Sequence, residues 1–458
     1  MTSEADVFVD LPDGRTVPVG HLSVRASEAG MLVSSQFQYT ADYLRDPARY
    51  SLCPELPLVQ GPITATGHRP IAGCFSDSGP DRWGRNLLFA AERRAAKAQG
   101  RPLAHMTDLD FIIMVHDETR QGALRYSIDG SPEFVSPARD QVPSLVDLPE
   151  LVAAARRHAQ HRETDTDLDL LTRAGTSMGG ARPKTTVRTP DGRLAIAKLP
   201  AADDQWNVLA WEATALELAR RAGVAVPAFT LHPITPDSAV LVSDRFDRDA
   251  NGARIGYLSG HTLVEKIPDG IASYTDLVEV VADHSEDPDA DSREMFRRVA
   301  LTLLVNNVDD HMKNHGVLRG STGWRLSPVF DVNPFPARWP VDSTPLSHDG
   351  DTAGRDIGHL LDLSGHFGMD RASAVTIVAE VERATASWAD VAADFGIEPG
   401  EVEFMSSAFE SKNRSIAHDL TTTVRIDTSL GDRPAGTSGW VAAHLRNGRP
   451  VRGYPRGT

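Results

Sequence analysis

Three oxygen-bearing side chains in the second half of the chain could together support phosphoryl transfer. Asp309 is followed five positions later by Asn314, and Asp331 follows at the end of a short predicted hairpin. One carboxylate can accept a hydrogen bond from an attacking hydroxyl, while an amide oxygen and a second carboxylate can hold Mg²⁺, which prefers oxygen ligands. Lys313 could neutralise charge on the transferred group. Because such Asp and Asn pairs also occur by chance, a polar turn between a helix and a strand is the alternative interpretation.

Further candidates precede this segment in an order that suits the same chemistry. Lys198 ends a predicted strand, from which its ammonium group could reach nucleotide phosphates. Glu212 lies in the next predicted helix, where an ion-pair partner of that lysine is expected. The glycine-rich segment 175–180 precedes Lys198 by about two strands. Taken alone, Lys198 could be a charge at the edge of a sheet, Glu212 a surface carboxylate and the glycine-rich segment an ordinary loop. The evidence for a shared function is therefore the order in which the three occur.

Other catalytic motifs fit less well. Residues 175–179 match the Gly-x-Ser-x-Gly pattern of serine hydrolases, but that motif needs a strand before it and a helix directly after it. Pro183 and a predicted strand over 184–188 follow instead. The sequence contains no P-loop motif, no His-Glu-x-x-His and no cysteine cluster. We therefore interpret His311 as a structural hydrogen-bonding residue and not as a metal ligand.

Turn residues and hydrophobic spacing indicate the elements that would position these groups. Pro12-Asp13-Gly14 predicts a hairpin between strands over 7–11 and 17–22. A second Pro-Asp-Gly turn, 190–192, joins predicted strands over 184–188 and 193–199. Apolar residues at helical spacing predict a helix over 206–222, which Gly223 would end, and mainly helices beyond Tyr274.

These patterns predict an N-terminal domain, a smaller β-rich region, a helical region and a tail. A stretch rich in Pro, Ser and Asp, 129–149, is the best candidate for the first boundary. The predicted bounds are 1–145, 146–245, 246–430 and a loosely ordered tail over 431–458.

Composition is that of an ordinary globular protein, with 41% hydrophobic and 24% charged residues among 458. Two cysteines exclude a disulfide scaffold, the apolar runs are too short to span a bilayer, and the first residues lack the basic start of a signal peptide. We therefore expect a cytoplasmic protein that does not bind membranes. A net charge of −16 is poorly suited to holding a nucleic acid backbone without a partner.

Several motifs together resemble the HipA-like kinases, the toxins of bacterial toxin–antitoxin pairs, over about residues 5–425. The N-terminal matches are Phe-Gln-Tyr at 37–39 with Tyr-Leu at 43–44, and Asp-Ser-Gly-Pro-Asp-Arg-Trp-Gly-Arg at 77–85. The later matches are Ser-Met-Gly-Gly-Ala-Arg-Pro-Lys at 177–184, Arg-Phe-Asp-Arg at 245–248, Asn-Val-Asp-Asp-His-Met-Lys-Asn at 307–314, and Phe-Asp at 330–331. Two segments depart from the family pattern: Arg182-Pro183 replaces a frequent Gln-Glu pair, and 258–261 lacks an acidic pair.

The resemblance implies an α+β, two-lobed protein-kinase-like fold, with a small β-rich lobe, a large helical lobe and an N-terminal mixed α/β domain. ATP and Mg²⁺ would bind between the lobes. Asp309 and Lys313 would be catalytic, and Asn314 and Asp331 would bind the metal. The residues expected to contact the nucleotide are Ser177, Gly179, Gly180, Lys184, Lys198, Glu212, His311 and, at the adenine-binding hinge, Asp244 and Phe246.

The resemblance also implies a serine/threonine protein kinase that phosphorylates a cellular protein, with an aminoacyl-tRNA synthetase among the family's targets. Ser177 matches a serine that such kinases autophosphorylate, and its phosphate would be repelled from the nucleotide phosphates. The expected partner is a separately encoded helix-turn-helix antitoxin, through which the chain would reach DNA indirectly. Two alternatives stay open: a small-molecule phosphotransferase of the same fold, and an inactive kinase fold that serves as a regulatory binding module.

Overall fold

The computed structural model describes most of the chain, in segments. They are residues 4–27, 30–67, 69–131, 133–135, 142–173, 182–235, 238–264, 272–348 and 355–428, with four short pieces at 440–441, 444–446, 449–451 and 454–455. The chain divides into two compact units. The first comprises Met1–Leu209, Pro227–Glu265 and Gly316–Gly323, and the second comprises Ala210–Val226, Lys266–His315 and Trp324–Thr458.

The first unit begins with a five-stranded antiparallel sheet. Its strands are β1 (Glu4–Asp10), β2 (Thr16–Ala26), β3 (Leu32–Tyr39), β4 (Pro62–Thr66) and β5 (Leu124–Ser127), in the order β4-β3-β2-β1-β5. Alternate residues of β1, including Val7 and Val9, are buried. Gly14 has φ +85° and donates its N–H to the Leu11 carbonyl, so the predicted hairpin turn is confirmed.

The second sheet of this unit has four antiparallel strands. They are β6 (Lys184–Arg188), β7 (Leu194–Lys198), β8 (Phe229–Thr235) and β9 (Ser238–Asp244), in the order β6-β7-β9-β8. The predicted turn before β7 is also confirmed: Thr189 donates to the Arg193 carbonyl, and Gly192 has φ +86°. A further pair, β10 (Tyr257–Ser259) and β11 (Gly316–Arg319), is antiparallel.

Three helices of the first unit bury apolar residues against the four-stranded sheet: α3 (Arg82–Ala98), α5 (Leu148–Ala159) and α6 (Asp165–Arg173). The other helices of this unit are α1 (Ala41–Arg45), α2 (Gly73–Asp77), α4 (Asp108–Met114) and the later α8 (Gly260–Leu263). One hydrophobic cluster joins Leu87 of α3, Leu151 of α5 and Leu171 of α6 to Ala197 of β7 and Val240 of β9. Burying such side chains contributes about 1.5–3 kcal/mol each for Leu or Val.

The second unit is mainly helical, as the sequence predicts. Its elements are most of α7 (Val208–Arg221), then α9 (Tyr274–His284), α10 (Pro288–Leu304), the short strand β12 (Trp324–Leu326), α11 (Ile357–Asp362), α12 (Arg371–Thr385), α13 (Trp388–Asp394), α14 (Pro399–Phe409) and α15 (Lys412–Thr428). Gly223 follows α7 with φ +78°, and Val224 donates back to the Ala219 carbonyl, which is the predicted glycine end of the helix. Trp388 stacks on Phe409 with ring centroids 4.5 Å apart.

Beyond α15, the described pieces are four short strands that form two antiparallel pairs. Trp440–Val441 pairs with Tyr454–Pro455, and His444–Arg446 pairs with Arg449–Val451. The other residues of the predicted loosely ordered tail lie outside the described residues. Across the part of the chain that is described, no helix combines the length and the apolar character needed to cross a membrane.

Candidate functional site

The segment with the candidate catalytic residues leaves α10 through a left-handed residue. Asn306 has φ +52°, a conformation that Asn tolerates better than most residues. Its side-chain Nδ2 donates to the Phe335 carbonyl at 2.6 Å, and the Phe335 N–H donates back to the Asn306 carbonyl at 3.2 Å. This reciprocal pair ties the end of α10 to the chain that follows Asp331.

Asp309 and Asn314 are held together by the loop between them. Residues Met312–Asn314 form a 3₁₀ turn, and Asn314 Nδ2 donates to the Asp309 carbonyl at 2.9 Å. Asn314 is buried, whereas Asp309 is exposed. Because the amide nitrogen is engaged by a carbonyl, Oδ1 is the atom of this side chain that can serve a cation.

Asp331 is positioned by Glu212, a residue that the sequence pattern connects with Lys198. Asp331 has φ +56° and donates its backbone N–H to Glu212 Oε1 at 3.2 Å. Glu212 lies in α7 with only 2% of its surface exposed. A non-glycine residue in the left-handed region is unfavourable by roughly 1–2 kcal/mol, and this hydrogen bond helps to stabilise it.

Other carboxylates influence Asp309. Partial burial raises the pKa of Asp309, and negative charge on Asp342, Asp331 and Asp310 raises it further, while His311 opposes them. The same electrostatic interactions indicate that Asp331 lies near Asp309. Asp342 was not predicted as a site residue, because it lies 33 positions beyond Asp309 and belongs to no motif.

The neighbouring Asp310 is buried and stabilises the loop from within. Its carboxylate accepts hydrogen bonds from the Tyr274 hydroxyl at 2.5 Å and the Thr302 hydroxyl at 2.9 Å, and it lies 3.2 Å from His315 Nε2. Burial alone would raise the pKa of Asp310, but His315 and the two hydroxyls outweigh it and lower the pKa to about 2. Asp310 was not among the site residues predicted from the sequence.

A second stretch of backbone braces the loop from the other side. The Asp342 N–H donates to the Val308 carbonyl at 2.8 Å, and the Thr344 N–H donates to the Asp310 carbonyl at 2.9 Å. Arg355 Nη2 donates to the Asn307 carbonyl at 2.9 Å. These bonds give the loop a fixed backbone on which Asp309 can be held.

In the first unit, the candidate phosphate-binding lysines are neighbours. Lys198 at the end of β7 pairs directly with Lys184 at the start of β6, and both side chains are buried. Lys184 Nζ lies 3.8 Å from Asp81 Oδ2, and the other oxygen of Asp81 caps α3 by accepting from the Gly84 N–H at 2.6 Å. Asp81 therefore places a negative charge beside Lys184, whose neighbour across the strands is the like-charged Lys198.

The two expected hinge residues lie where β9 ends. The Asp244 carboxylate accepts from Arg193, and its backbone N–H donates to the Ala228 carbonyl at 2.8 Å. The Phe246 ring lies 6.2 Å from that of Tyr257. In the second unit, His311 and Lys313 are exposed. The predicted roles of Ser177, Gly179 and Gly180 fall outside the described residues.

The residues that could bind a metal are few but of a suitable type. Within the described segments, no three His, Cys, Asp or Glu side chains are grouped to hold an ion. Asn314 and Asp331 offer one amide oxygen and one carboxylate. Mg²⁺ commonly uses one or two protein oxygens together with substrate phosphates and water, so this pair fits it.

The elements of the two units are those of a kinase-like fold: a small antiparallel sheet whose strand β7 ends at Lys198, and a helical unit that carries Asp309, Asn314 and Asp331. Residues 176–388 match the family described as the HipA-like C-terminal domain. Over these residues the chain matches that family, and the resemblance inferred from the motifs is confirmed.

One solved structure supports the fold. The chain is similar to the structure described as the Shewanella oneidensis MR-1 toxin–antitoxin system HipA, HipB and its operator DNA complex, with a TM-score of 0.58 and 14% identity over 91% of this chain and 96% of that one. The Helicobacter pylori proinflammatory kinase CtkA is similar over 56% of this chain and 95% of its own, with 14% identity and a TM-score of 0.38. No curated protein sequence matches the chain. The predicted kinase-like α+β fold is confirmed.

Proposed function

We propose that this chain is a serine/threonine protein kinase that uses ATP and Mg²⁺. The observation that carries the proposal is the hydrogen bond of Asn314 to the Asp309 carbonyl, with Asp331 near enough to raise the pKa of Asp309, inside a HipA-like domain. This arrangement supplies one carboxylate for an acceptor hydroxyl and two oxygen ligands for a cation.

In the proposed reaction, Asp309 accepts a hydrogen bond from the attacking hydroxyl and aligns it with the phosphoryl group. Asn314 Oδ1 and the Asp331 carboxylate would hold Mg²⁺, which when bound neutralises charge on the phosphates. Lys313, which is exposed beside the loop, would interact with the transferred group. The buried Asp310 and its hydroxyl partners keep the loop in place while the acceptor enters.

The proposed biological role is that of a toxin with a separately encoded antitoxin. The similar Shewanella structure is described as HipA with HipB and operator DNA, and the net charge of −16 is consistent with reaching DNA through a partner. The proposed target is a cellular protein, for which an aminoacyl-tRNA synthetase is the first candidate. The proposal includes autophosphorylation of Ser177.

Replacing the candidate catalytic carboxylate tests the reaction. We expect Asp309→Asn to lower phosphate transfer from γ-labelled ATP by at least about 100-fold, because general-base and positioning contributions are of that size. The melting temperature should change little, since Asp309 is exposed. The matched control is Asp362→Asn, which removes an exposed carboxylate at the end of α11 that pairs with Arg371. Equal transfer by wild type and Asp309→Asn would reject the assignment.

The acceptor is tested separately, because a small-molecule phosphotransferase could share this geometry. Wild type and Asp309→Asn are each incubated with labelled ATP and either a protein extract or a metabolite extract. Label in proteins, with one phosphate on the Ser177 peptide that is absent in Ser177→Ala, supports the protein kinase. Label only in metabolites supports the small-molecule phosphotransferase. If the protein neither transfers phosphate nor turns over ATP, an inactive binding module is supported.

A further inference from the structure

The residues at the end of β9 alternate between two kinds of surroundings. Asp244 and Phe246 are the expected hinge residues, whereas the side chains of Arg245 and Asp247 are buried. Arg245 and Asp247 have side-chain exposures of 0% and 2%. They form a bidentate pair in which Arg245 Nε and Nη2 donate to the two Asp247 oxygens at 2.8 and 2.5 Å.

This buried pair binds a turn that comes from far away in the sequence. Arg245 Nη1 donates to the Thr119 carbonyl at 2.5 Å, and Nη2 donates to the Arg120 carbonyl at 3.2 Å. In return, the Gly122 N–H donates to Asp247 Oδ2 at 2.8 Å. Residues 117–122, which we name the N-terminal turn, are thereby fixed to the residues that flank Phe246.

Two more arginines close around the same turn. Arg248 Nη1 donates to Asp247 Oδ2 at 2.9 Å, and its Nη2 donates to the Glu118 carbonyl at 3.1 Å. Arg254 donates to the carbonyl and, at 3.2 Å, to the carboxylate of Asp117. Asp247 thus lies between two guanidinium groups, which together with Gly122 outweigh burial and lower its pKa.

The N-terminal turn also reaches the hinge aromatic residue through Tyr257. Gly122 has φ +73°, and a Cβ at this position would lie 3.3 Å from the Tyr257 backbone nitrogen. The Tyr257 ring is in turn the neighbour of Phe246, at 6.2 Å. The turn therefore contacts the hinge segment on one side through Asp247 and on the other through Tyr257.

We infer that Asp247 is a positioning residue, through which the N-terminal turn fixes the backbone of residues 244–246, the segment expected to contact the nucleotide. The expected effect on ATP affinity rests on the proposed kinase function. Without the Asp247 carboxylate, Arg245 and Arg248 would be buried without their counter-ion, an arrangement that proteins relieve by local rearrangement. Because Asp247 is directly adjacent to Phe246, the rearrangement would move the expected hinge.

The test compares Asp247→Asn with a variant of similar stability cost elsewhere in the first unit. Val9→Ala truncates a fully buried apolar side chain of β1, which pairs with Val17 and Leu124 and lies outside residues 117–122 and 244–248. We expect Asp247→Asn to raise the KM for ATP about tenfold and to leave kcat within about twofold, since misplacement of a binding element acts on affinity first. Val9→Ala should leave both constants unchanged, and Asp247→Glu should restore part of the affinity. Equal KM values for Asp247→Asn and Val9→Ala would overturn the inference.

Hydrogen exchange of the amides of 242–248 provides a readout that does not depend on ATP. Faster exchange there in Asp247→Asn, but not in Val9→Ala, supports the positioning role even if the wild type transfers no phosphate. Unchanged exchange overturns it, whatever the activity. If Asp247→Asn does not fold, Gly122→Ala replaces it, because alanine is strained at φ +73° and its Cβ would lie 3.3 Å from the Tyr257 nitrogen, and the same two outcomes apply.

Discussion

Asp310 has a different task from its neighbour Asp309, although the two are adjacent and chemically identical. Asp309 lies among other carboxylates, and partial burial together with their negative charge raises its pKa. Asp310 is buried against His315, Tyr274 and Thr302, which lower its pKa to about 2. The pKa values of these two adjacent aspartates are shifted in opposite directions because their surroundings differ. Asp309 is the one that a substrate could reach, and Asp310 is the one that supports the loop.

The lowered pKa of Asp310 predicts acid sensitivity. A carboxyl group that binds its proton more weakly in the folded state stabilises that state above its unfolded pKa, near 3.9, and the contribution is lost as pH falls through the folded value of about 2. We expect the free energy of unfolding to fall by about 2 kcal/mol between pH 5 and pH 2 through this group. Urea unfolding at several pH values measures the loss.

Asp310→Asn separates this contribution from those of other carboxylates. The variant should be less stable than wild type at pH 7, because one buried charge-assisted network is lost. The difference between the two proteins should shrink as the pH approaches 2, since the wild-type carboxylate is then protonated. A difference that stays constant with pH would show that Asp310 is not the titrating group.

At the scale of elements, the features that were predictable from sequence are the local ones. The two Pro-Asp-Gly turns and the glycine end of α7 are determined by residues within a few positions, and all three are confirmed. Contacts between distant residues were not predictable in this way. Glu212 and Asp331 are 119 positions apart, and Tyr274 and Asp310 are 36 apart. No spacing rule relates such pairs, because they meet only after helices and loops have packed.

The end of α10 illustrates how an element positions the loop, and it gives a prediction at this scale. Asn306 combines a left-handed backbone with a side-chain bond to the Phe335 carbonyl. Asn306→Gly keeps the backbone freedom and loses only the bond, so it should cost about 1 kcal/mol. Asn306→Ala loses both and should cost about 1–2 kcal/mol more. Chemical denaturation of the two variants checks the order; an alanine variant as stable as the glycine variant would contradict it.

At the scale of the whole molecule, the first unit contains residues from both sides of the predicted boundary near 145. Leu87 in α3 and Leu151 in α5 belong to one apolar cluster with strands β7 and β9. The buried arginine and aspartate pair after β9 binds the turn at 117–122. Charge and apolar burial therefore both connect the five-stranded sheet region to the four-stranded sheet, and we expect the two to unfold together.

Leu87→Ala tests that expectation, because Leu87 is only 1% exposed and its removal leaves a cavity in the shared cluster. The variant should lose about 2–5 kcal/mol of stability. Hydrogen exchange in low denaturant should then accelerate for buried amides of β1 and β2 as well as β7 and β9, since a cooperative unit opens as a whole. The control is Leu361→Ala, a buried residue of α11 in the second unit, which should leave those strands protected. Faster exchange in β7 and β9 alone would show that residues before 145 form an independently stable domain. The buried arginine contacts would then connect two separate folding units.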